Sequence, residues 1–280
     1  MIRHMQPVAI GGIGGSGTRV IASVLRSCGY YLGDDLNTAD DNLWFTLLFK
    51  RVELMPTEAH DADITWSIRV FGASMGRREW WDESMQTPLL KLAATARGPH
   101  SPDWLTKRVE SLLRAVRSDP ISGPWGWKEP NTHMFVDSIH RRLDGFRYIH
   151  VLRNGLNMAF SSNQYQLLHW GPAFLGRDFA LTPRASLKYW CVATRRTLHA
   201  MSAMGDRGLV LWFDRLCEAP EREITRLLQF LGSEASARTV ESLAAGVAPP
   251  PSLNRHVARD CRGFDPDDVA YAQLAWDETR

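Results

Sequence analysis

The sequence has no long apolar run and no strong imbalance of charge. No stretch approaches the roughly 20 consecutive apolar residues that a membrane-spanning helix needs. The 280 residues carry 33 Lys and Arg against 31 Asp and Glu, a net charge of +2, so nothing indicates a nucleic-acid-binding stripe. The first residues also show no apolar signal segment. We therefore expect a cytoplasmic protein that has no membrane span and does not bind nucleic acids.

Cysteine is scarce. The four cysteines (Cys28, Cys191, Cys217 and Cys261) lie far apart, with no Cys-x-x-Cys pair. This spacing excludes the common zinc motifs and a disulfide framework. A reduced compartment and no metal site are the expectation.

The lysine of an ATP- or GTP-binding P-loop is also missing. That loop has the form Gly-x-x-x-x-Gly-Lys-Ser/Thr. Gly12 and Gly17 have the right spacing, but Thr18 and Arg19 stand where the lysine and the hydroxyl residue belong. A nucleotide kinase of the P-loop class remains an alternative, although it would lack its main phosphate-binding cation.

A glycine-rich turn is the feature around which the chain is organised. Residues 8–10 form a short apolar run typical of a buried strand, and glycines and a serine follow it. A helix is predicted from Thr18, with one apolar face formed by Val20, Ile21, Val24 and Leu25. Glycines let backbone N–H groups approach an anion, and the helix adds its positive dipole end. The turn is therefore a candidate phosphate or sulfate site, the alternative being a turn that binds nothing.

Strands alternate with helices along the chain. Strands are predicted at 8–10, 121–127, 146–152 and 208–213. Helices are predicted at 18–28, 42–52, after a cap at Asn131 or Thr132, at 153–161, 183–204 and 220–232, and from 266. This pattern favours an α/β fold: three layers, α/β/α, around a mostly parallel sheet, as in P-loop nucleotide-binding proteins. We expect a single domain over residues 1–280, with a helical insertion at about 57–118.

Charged residues follow two of the predicted strands directly. Lys128 follows the second strand and Arg153 the third. In such a sheet, ligands bind beyond the carboxyl ends of the strands, where the glycine-rich turn also lies. Backbone amides, a lysine and an arginine together suit a nucleotide with two separated phosphate groups.

Four motifs occur in an order that resembles the sulfotransferases. They are Gly-Gly-Ser-Gly-Thr-Arg at 14–19, Lys-Glu-Pro at 128–130, Val-Leu-Arg-Asn-Gly followed by Ala-Phe-Ser at 151–161, and Trp-Phe-Asp-Arg-Leu-Cys-Glu-Ala-Pro followed by Phe-Leu-Gly at 212–232. The resemblance implies a P-loop-like fold that uses 3′-phosphoadenosine 5′-phosphosulfate (PAPS), without a metal, and releases 3′-phosphoadenosine 5′-phosphate (PAP).

The resemblance also implies roles for individual residues. Lys128 would neutralise charge beside the transferring sulfuryl group, and Arg262-Gly263 would correspond to a basic clamp near the C-terminus. Arg153 and Ser161 would hold the 3′-phosphate, and the turn the 5′-phosphosulfate. The implied cofactor-binding residues are Gly14, Gly15, Ser16, Gly17, Thr18, Arg19, Arg153 and Ser161.

Two points stay open at the level of sequence. Many family members have Lys or Arg where this chain has Gly15, so a non-catalytic nucleotide-binding relative is a further alternative. The acceptor hydroxyl needs a base within hydrogen-bond reach. Asp41 is the first candidate, followed by Asp40, Glu129 and His133, while Asp40 or Asp41 could instead cap the next helix.

The predicted reaction is in-line transfer of a sulfuryl group to a hydroxyl of a carbohydrate or small-molecule acceptor. Aromatic residues of the insertion could contact such an acceptor or simply fill the core. They are Trp66, Trp80, Trp81 and Trp104. Neither the acceptor's identity nor the oligomeric state follows from the sequence.

Overall fold

A four-stranded parallel sheet forms the centre of the fold. The computed structural model describes residues 6–278, with side chains as far as Trp276. Within that range the strand order is β2-β1-β3-β4, and all three neighbouring pairs are parallel. The strands are β1 Val8–Gly12, β2 Gly126–Lys128, β3 Arg147–Leu152 and β4 Gly208–Trp212. Parallel strands need crossover connections, and helices supply them here.

Helices account for most of the remaining chain. They are α1 Thr18–Ser27, α2 Leu43–Phe49, α3 Asp61–Ser74, α4 Gln86–Ala93, α5 Pro102–Arg117, α6 Val136–His140, α7 Gly155–Ala159, α8 Tyr165–Leu175, α9 Pro183–Ser202, α10 Phe213–Glu218, α11 Pro220–Leu231, α12 Ala237–Ala244 and α13 Pro266–Glu278. Among these described helices, none combines the length and the apolar character that crossing a bilayer requires. The predicted insertion corresponds to α3, α4 and α5, which lie between α2 and β2.

Alternating side chains of the strands build two cores, one on each face of the sheet. In β3, Ile149 and Val151 pack with the apolar sides of α1 and α11, whereas Tyr148 and Leu152 pack with α2, α3 and α9. In β1, Ala9 belongs to the same core as Tyr148 and Leu152, whereas Val8 and Ile10 belong to the core that contains Ile149 and Val151. Helices on both faces of a parallel sheet confirm the predicted three-layer α/β/α fold.

Some predicted elements differ from the structure. The second strand has only the three residues of β2, and α2 ends at Phe49 rather than at residue 52. Neither Asn131 nor Thr132 caps the following helix. Instead, the Glu129 carboxylate accepts from the Asn131 N–H and begins a short 3₁₀ segment, Pro130–Met134, ahead of α6. The difference follows from the short β2, because the chain turns directly after Lys128, opposite Ile10 and two residues before β1 ends.

Candidate active site

The turn between β1 and α1 keeps most of its backbone N–H groups free. Gly14 donates its N–H to Gln166 Oε1 at 3.0 Å, and Ser16 donates to the Ile13 carbonyl at 3.0 Å. Within residues 6–278, no acceptor is found for the N–H groups of Gly15, Gly17, Thr18 and Arg19. Free amides at the start of a helix are the donors that bind phosphate and sulfate in proteins.

The first turn of α1 is also left without a neutralising group. Its N-cap is Gly17, at φ 94°, so no side chain caps the helix, and the first turn holds no acidic residue. Ser16 is 1% exposed, and its Oγ finds no partner among the described residues. A buried hydroxyl and several free N–H groups are costly unless an acceptor joins them. An oxyanion would supply that acceptor, so the turn fits a phosphate or phosphosulfate group.

Gln166 holds the turn from a helix that the sequence did not predict. Its Oε1 accepts from Gly14, and its Nε2 donates to the Gly12 carbonyl at 3.3 Å, so one buried side chain bonds to the backbone on both sides of Ile13. Gly171 and Pro172 stand inside α8 and argue against a helix there. For this reason propensity alone gave no signal for Gln166.

Arg153 and Ser161 approach the same residue of the turn. Arg153 Nη1 donates to the Gly15 carbonyl at 3.4 Å. A Cβ atom added to Gly15 would lie 3.9 Å from Ser161 Oγ. Ser161 follows Phe160, the C-cap of α7, and its Oγ accepts from the Asn163 N–H at 3.2 Å. The structure therefore brings the strand-end arginine, the serine eight residues later and the glycine-rich turn together.

A second arginine joins Arg153 from the C-terminal part of the chain. Arg153 Nη2 and Arg255 Nε both donate to the Ser252 carbonyl, at 2.6 and 3.1 Å. Burial, followed by the charge of Arg255, lowers the pKa of Arg153. Arg262, the arginine that the resemblance suggested, is 92% exposed and pairs with Asp260 instead. Two adjacent guanidinium groups of like charge, held by oxygen atoms without formal charge, favour a bound anion.

Asp214 connects the ends of β3 and β4. Its carboxylate accepts from the Asn154 N–H at 2.8 Å and from Asn157 Nδ2 at 3.2 Å. Asn157 in turn accepts from the His256 N–H at 3.3 Å, beside Arg255. These bonds fix the segment that carries Arg153 and tie the C-terminal arginine to the same sheet edge.

The predicted lysine and the first candidate base contact each other. Lys128 is 3% exposed, and its Nζ forms an ion pair with Asp41 and donates to the Ala39 carbonyl at 3.0 Å. Asp41 keeps 20% of its side chain exposed, and its second oxygen accepts from Asn37 Nδ2 at 2.9 Å. The loop that carries Asp41 is also joined to β2 by a backbone hydrogen bond, since the Asn42 N–H donates to the Lys128 carbonyl at 2.8 Å.

The other base candidates are placed differently. Asp40, at φ 65°, pairs with Arg26 of α1 at 2.8 Å. Glu129 is 2% exposed, and both of its oxygens accept from Asn131, while burial raises its pKa. His133 is buried, its Nδ1 lies 2.9 Å from the Pro130 carbonyl, and burial lowers its pKa to about 4. Asp41 thus combines contact with Lys128 and access to solvent.

The capping interpretation of Asp40 and Asp41 is wrong. The N-cap of α2 is Asn42, whose Oδ1 accepts from the Phe45 N–H at 3.0 Å. Its Nδ2 donates to the Leu32 carbonyl at 3.0 Å, so this buried residue also anchors the loop before Asp41. Asp41 is therefore free of any capping role. Among the described residues, no cluster of three or more His, Cys, Asp or Glu side chains could hold a metal ion.

Comparisons with solved structures find sulfotransferases. The chain superimposes on the sulfotransferase domain of the olefin synthase of Synechococcus PCC 7002 with a TM-score of 0.50 and 14% identity, covering 98% of this chain and 96% of that one. Sulfotransferase STF9 of Mycobacterium avium superimposes with a TM-score of 0.47 and 14% identity, and the match covers 98% of this chain and 76% of that one. A retinol dehydratase solved with androsterone and the inactive cofactor PAP superimposes with a TM-score of 0.40 and 11% identity, and the match covers 98% of this chain and 80% of that one. At this identity such likeness shows the fold alone.

The family assignment comes from the sequence match. No curated protein matches the chain. The family described as "Sulfotransferase family" matches residues 7–237, which include β1, the glycine-rich turn, Lys128, Arg153 and all four strands. Because this match spans most of the chain and agrees with the fold, the protein belongs to the sulfotransferase family of enzymes.

Proposed function

We propose that this protein transfers a sulfuryl group from PAPS to the hydroxyl of a small-molecule or carbohydrate acceptor. One observation carries the proposal. The glycine-rich turn, with its free N–H groups, meets Arg153 and Ser161 at the end of the neighbouring strand. Two separate anion sites at one sheet edge match a nucleotide that carries phosphate groups at its 3′ and 5′ positions.

The two ends of the nucleotide would be held by different groups. The free amides of Gly15, Gly17, Thr18 and Arg19 and the buried hydroxyl of Ser16 would bind the 5′-phosphosulfate. Arg153, Ser161 and Arg255 would bind the 3′-phosphate, since a guanidinium can donate two parallel hydrogen bonds to a phosphate. Arg255 was missed in the sequence because it follows the prolines at 249–251 and begins only a short 3₁₀ segment, Arg255–Ala258, without a recognisable motif.

Lys128 and Asp41 would act on the transfer step. PAPS supplies the electrophilic sulfuryl group when it is bound. The Lys128 ammonium would stabilise negative charge that develops on the oxygen leaving the sulfur. Asp41 would accept the hydroxyl proton of the acceptor as the new O–S bond forms. When Lys128 interacts with the developing charge, its pairing with Asp41 weakens, which makes the carboxylate a better base.

The missing basic residue at Gly15 has a structural counterpart. Gly15 adopts φ 90°, a conformation that residues with side chains rarely take. The Arg153 guanidinium, which follows β3, contacts the Gly15 carbonyl, and Lys128 lies at the end of β2 on the other side of β1. Cations therefore stand at the ends of the strands on both sides of β1, although the turn itself carries none at position 15.

Product analysis tests the proposal. The purified protein is incubated with PAPS and a panel of phenols, sugars and aliphatic alcohols, and acceptor-dependent PAP formation is measured. We expect PAP formation in the wild type and in the exposed control Lys91→Gln, and a loss of at least a hundredfold in Lys128→Met. Magnesium-dependent consumption of ATP without PAP formation would favour the kinase alternative. Binding of PAP with no transfer to any acceptor would favour the non-catalytic one.

A further inference from the structure

A cavity of about 180 Å³ is lined by residues outside the candidate active site described above. It is lined by the end of α2, the turn at residues 97–100 and the start of α8. Its Tyr165 precedes Gln166, the residue that holds the glycine-rich turn, and Lys50 lies over the Tyr165 ring at 4.2 Å. Burial raises the pKa of Glu129, the residue after Lys128, and the charge of Lys50 opposes this rise. The cavity is therefore linked to the glycine-rich turn through α8, which carries both Tyr165 and Gln166, and to the neighbourhood of Lys128 through the charge of Lys50.

The lining carries more positive than negative charge. Three cations line the cavity (Lys50, Arg51 and Arg97), against one carboxylate, the exposed Glu53. Arg51 is satisfied within the protein, because it donates to the Leu48 carbonyl at 2.9 Å and to a serine hydroxyl. Lys50 and Arg97 have no ion pair among the described residues. Such a surface attracts an anion.

Several buried nitrogen atoms of this lining have no hydrogen-bond partner. Arg97 donates only through Nη2, to the Leu47 carbonyl at 3.0 Å, while its Nε and Nη1 are buried and unpaired among the described residues. The same holds for Nε2 of His100 and of His169. Unsatisfied buried donors are costly, and a bound acceptor group removes the cost.

The histidines respond to the same positive surroundings. Burial, then the charge of Lys50, lowers the pKa of His169 to about 4. Burial, then Lys50 and Arg97, lowers the pKa of His100 to about 4 as well. Neutral imidazoles add hydrogen-bonding groups to the cavity without adding charge, so Lys50 and Arg97 supply its attraction for anions.

We propose that this cavity is a subsite for the acceptor, and that the acceptor alcohol carries an oxyanion group (a carboxylate, sulfate or phosphate) that Lys50 and Arg97 bind. The inference rests on the proposed function and names its substrate class. Pockets that enclose a whole small ligand usually measure about 300–1,000 Å³, so this cavity holds one group of the acceptor, while the hydroxyl extends towards Lys128.

Binding to the PAP-saturated protein tests the subsite. The probes for titration calorimetry are 4-hydroxyphenylacetate, its uncharged amide 4-hydroxyphenylacetamide, and inorganic sulfate. We expect the acid to bind at least tenfold more tightly than the amide and to compete with sulfate, because hydrogen bonds to charged groups contribute about 10- to 100-fold in affinity. Lys50→Gln and Arg97→Gln should remove this preference, whereas the exposed control Lys91→Gln should keep it.

Other outcomes overturn the inference. Equal binding of acid and amide, absence of binding by the acid, or sulfate binding that Lys50→Gln does not weaken would each refute it. Sulfate that binds without competing with the acid would indicate a separate anion site and would also refute the acceptor assignment. Unfolding midpoints of the variants show whether each is folded. If PAP itself fails to bind, the proposed function is refuted, while the effect of Lys50→Gln on sulfate binding still decides the cavity.

Discussion

Replacing Lys128 with methionine separates the structural role of its ammonium group from its proposed catalytic role. In the wild type, this ammonium pairs with Asp41 and donates to the Ala39 carbonyl. Methionine keeps most of the buried aliphatic volume, so the change removes the charge and its hydrogen bonds with little loss of packing.

The expected magnitudes differ for stability and for rate. Removing one partner of a fully buried ion pair costs about 3–5 kcal/mol. Asp41 keeps 20% exposure and a hydrogen bond from Asn37, so we expect a loss of about 1–3 kcal/mol in the free energy of unfolding. Loss of one group that stabilises developing negative charge typically lowers kcat by about 10²–10³.

Urea unfolding and initial rates of PAP formation measure these two quantities. The double variant Lys128→Met with Asp41→Asn removes both charges and should regain part of the lost stability, but none of the lost rate. A kcat of Lys128→Met within tenfold of the wild type would refute the assignment of Lys128 to the transfer step. A double variant as unstable as Lys128→Met would refute the ion pair's part in stability.

Three further predictions concern the anion site and the core. Arg153→Lys keeps the charge but loses the bidentate hydrogen bonding of the guanidinium, so calorimetry should show PAP binding about 10- to 100-fold more weakly. An unchanged affinity for PAP would contradict the role of Arg153. In Gly17→Ala, the alanine would have to adopt a φ of 94°, and its Cβ atom would clash with the ring of Phe213. Urea unfolding should show a loss of about 2–4 kcal/mol in the free energy of unfolding. A loss of less than about 0.5 kcal/mol would contradict the predicted strain. Burial lowers the pKa of His133 to about 4 and of His150 to about 3, so the unfolded chain binds more protons below pH 6.5. The free energy of unfolding should therefore fall as the pH is lowered from 6.5 towards 4, by at most about 1.4 kcal/mol per pH unit for each histidine. His133→Gln should make this slope shallower, and an unchanged slope would contradict the account.

The strand ends were the part of the site that sequence predicts well. β1, β3 and α1 have recognisable apolar patterns, and parallel strands end at one edge. The sequence therefore predicts that Lys128 and Arg153 lie at the same edge of the sheet as the glycine-rich turn. Asp41 lies far from Lys128 in sequence. Its proximity follows only from the loop that Asn42 anchors to the end of β2.

Long-range contacts without a local pattern were missed. Gln166 lies on a helix that contains Gly171 and Pro172, and only tertiary packing overrides their propensity. Arg255 and Arg262 lie in similar irregular sequence, so nothing local distinguishes the arginine that shares Ser252 with Arg153 from the one that faces solvent. Such choices depend on the path of the chain rather than on residue type.

The account's central claim is that one nucleotide with 3′ and 5′ anionic groups spans the glycine-rich turn and the Arg153 and Ser161 pair. Titration calorimetry of the wild-type protein with PAP, with AMP, which lacks the 3′-phosphate, and with ATP and magnesium tests it most directly. The account predicts that PAP binds at least tenfold more tightly than AMP and than ATP with magnesium, because only PAP fills both sites. Equal affinities for PAP and AMP, or tighter binding of ATP with magnesium, would contradict it.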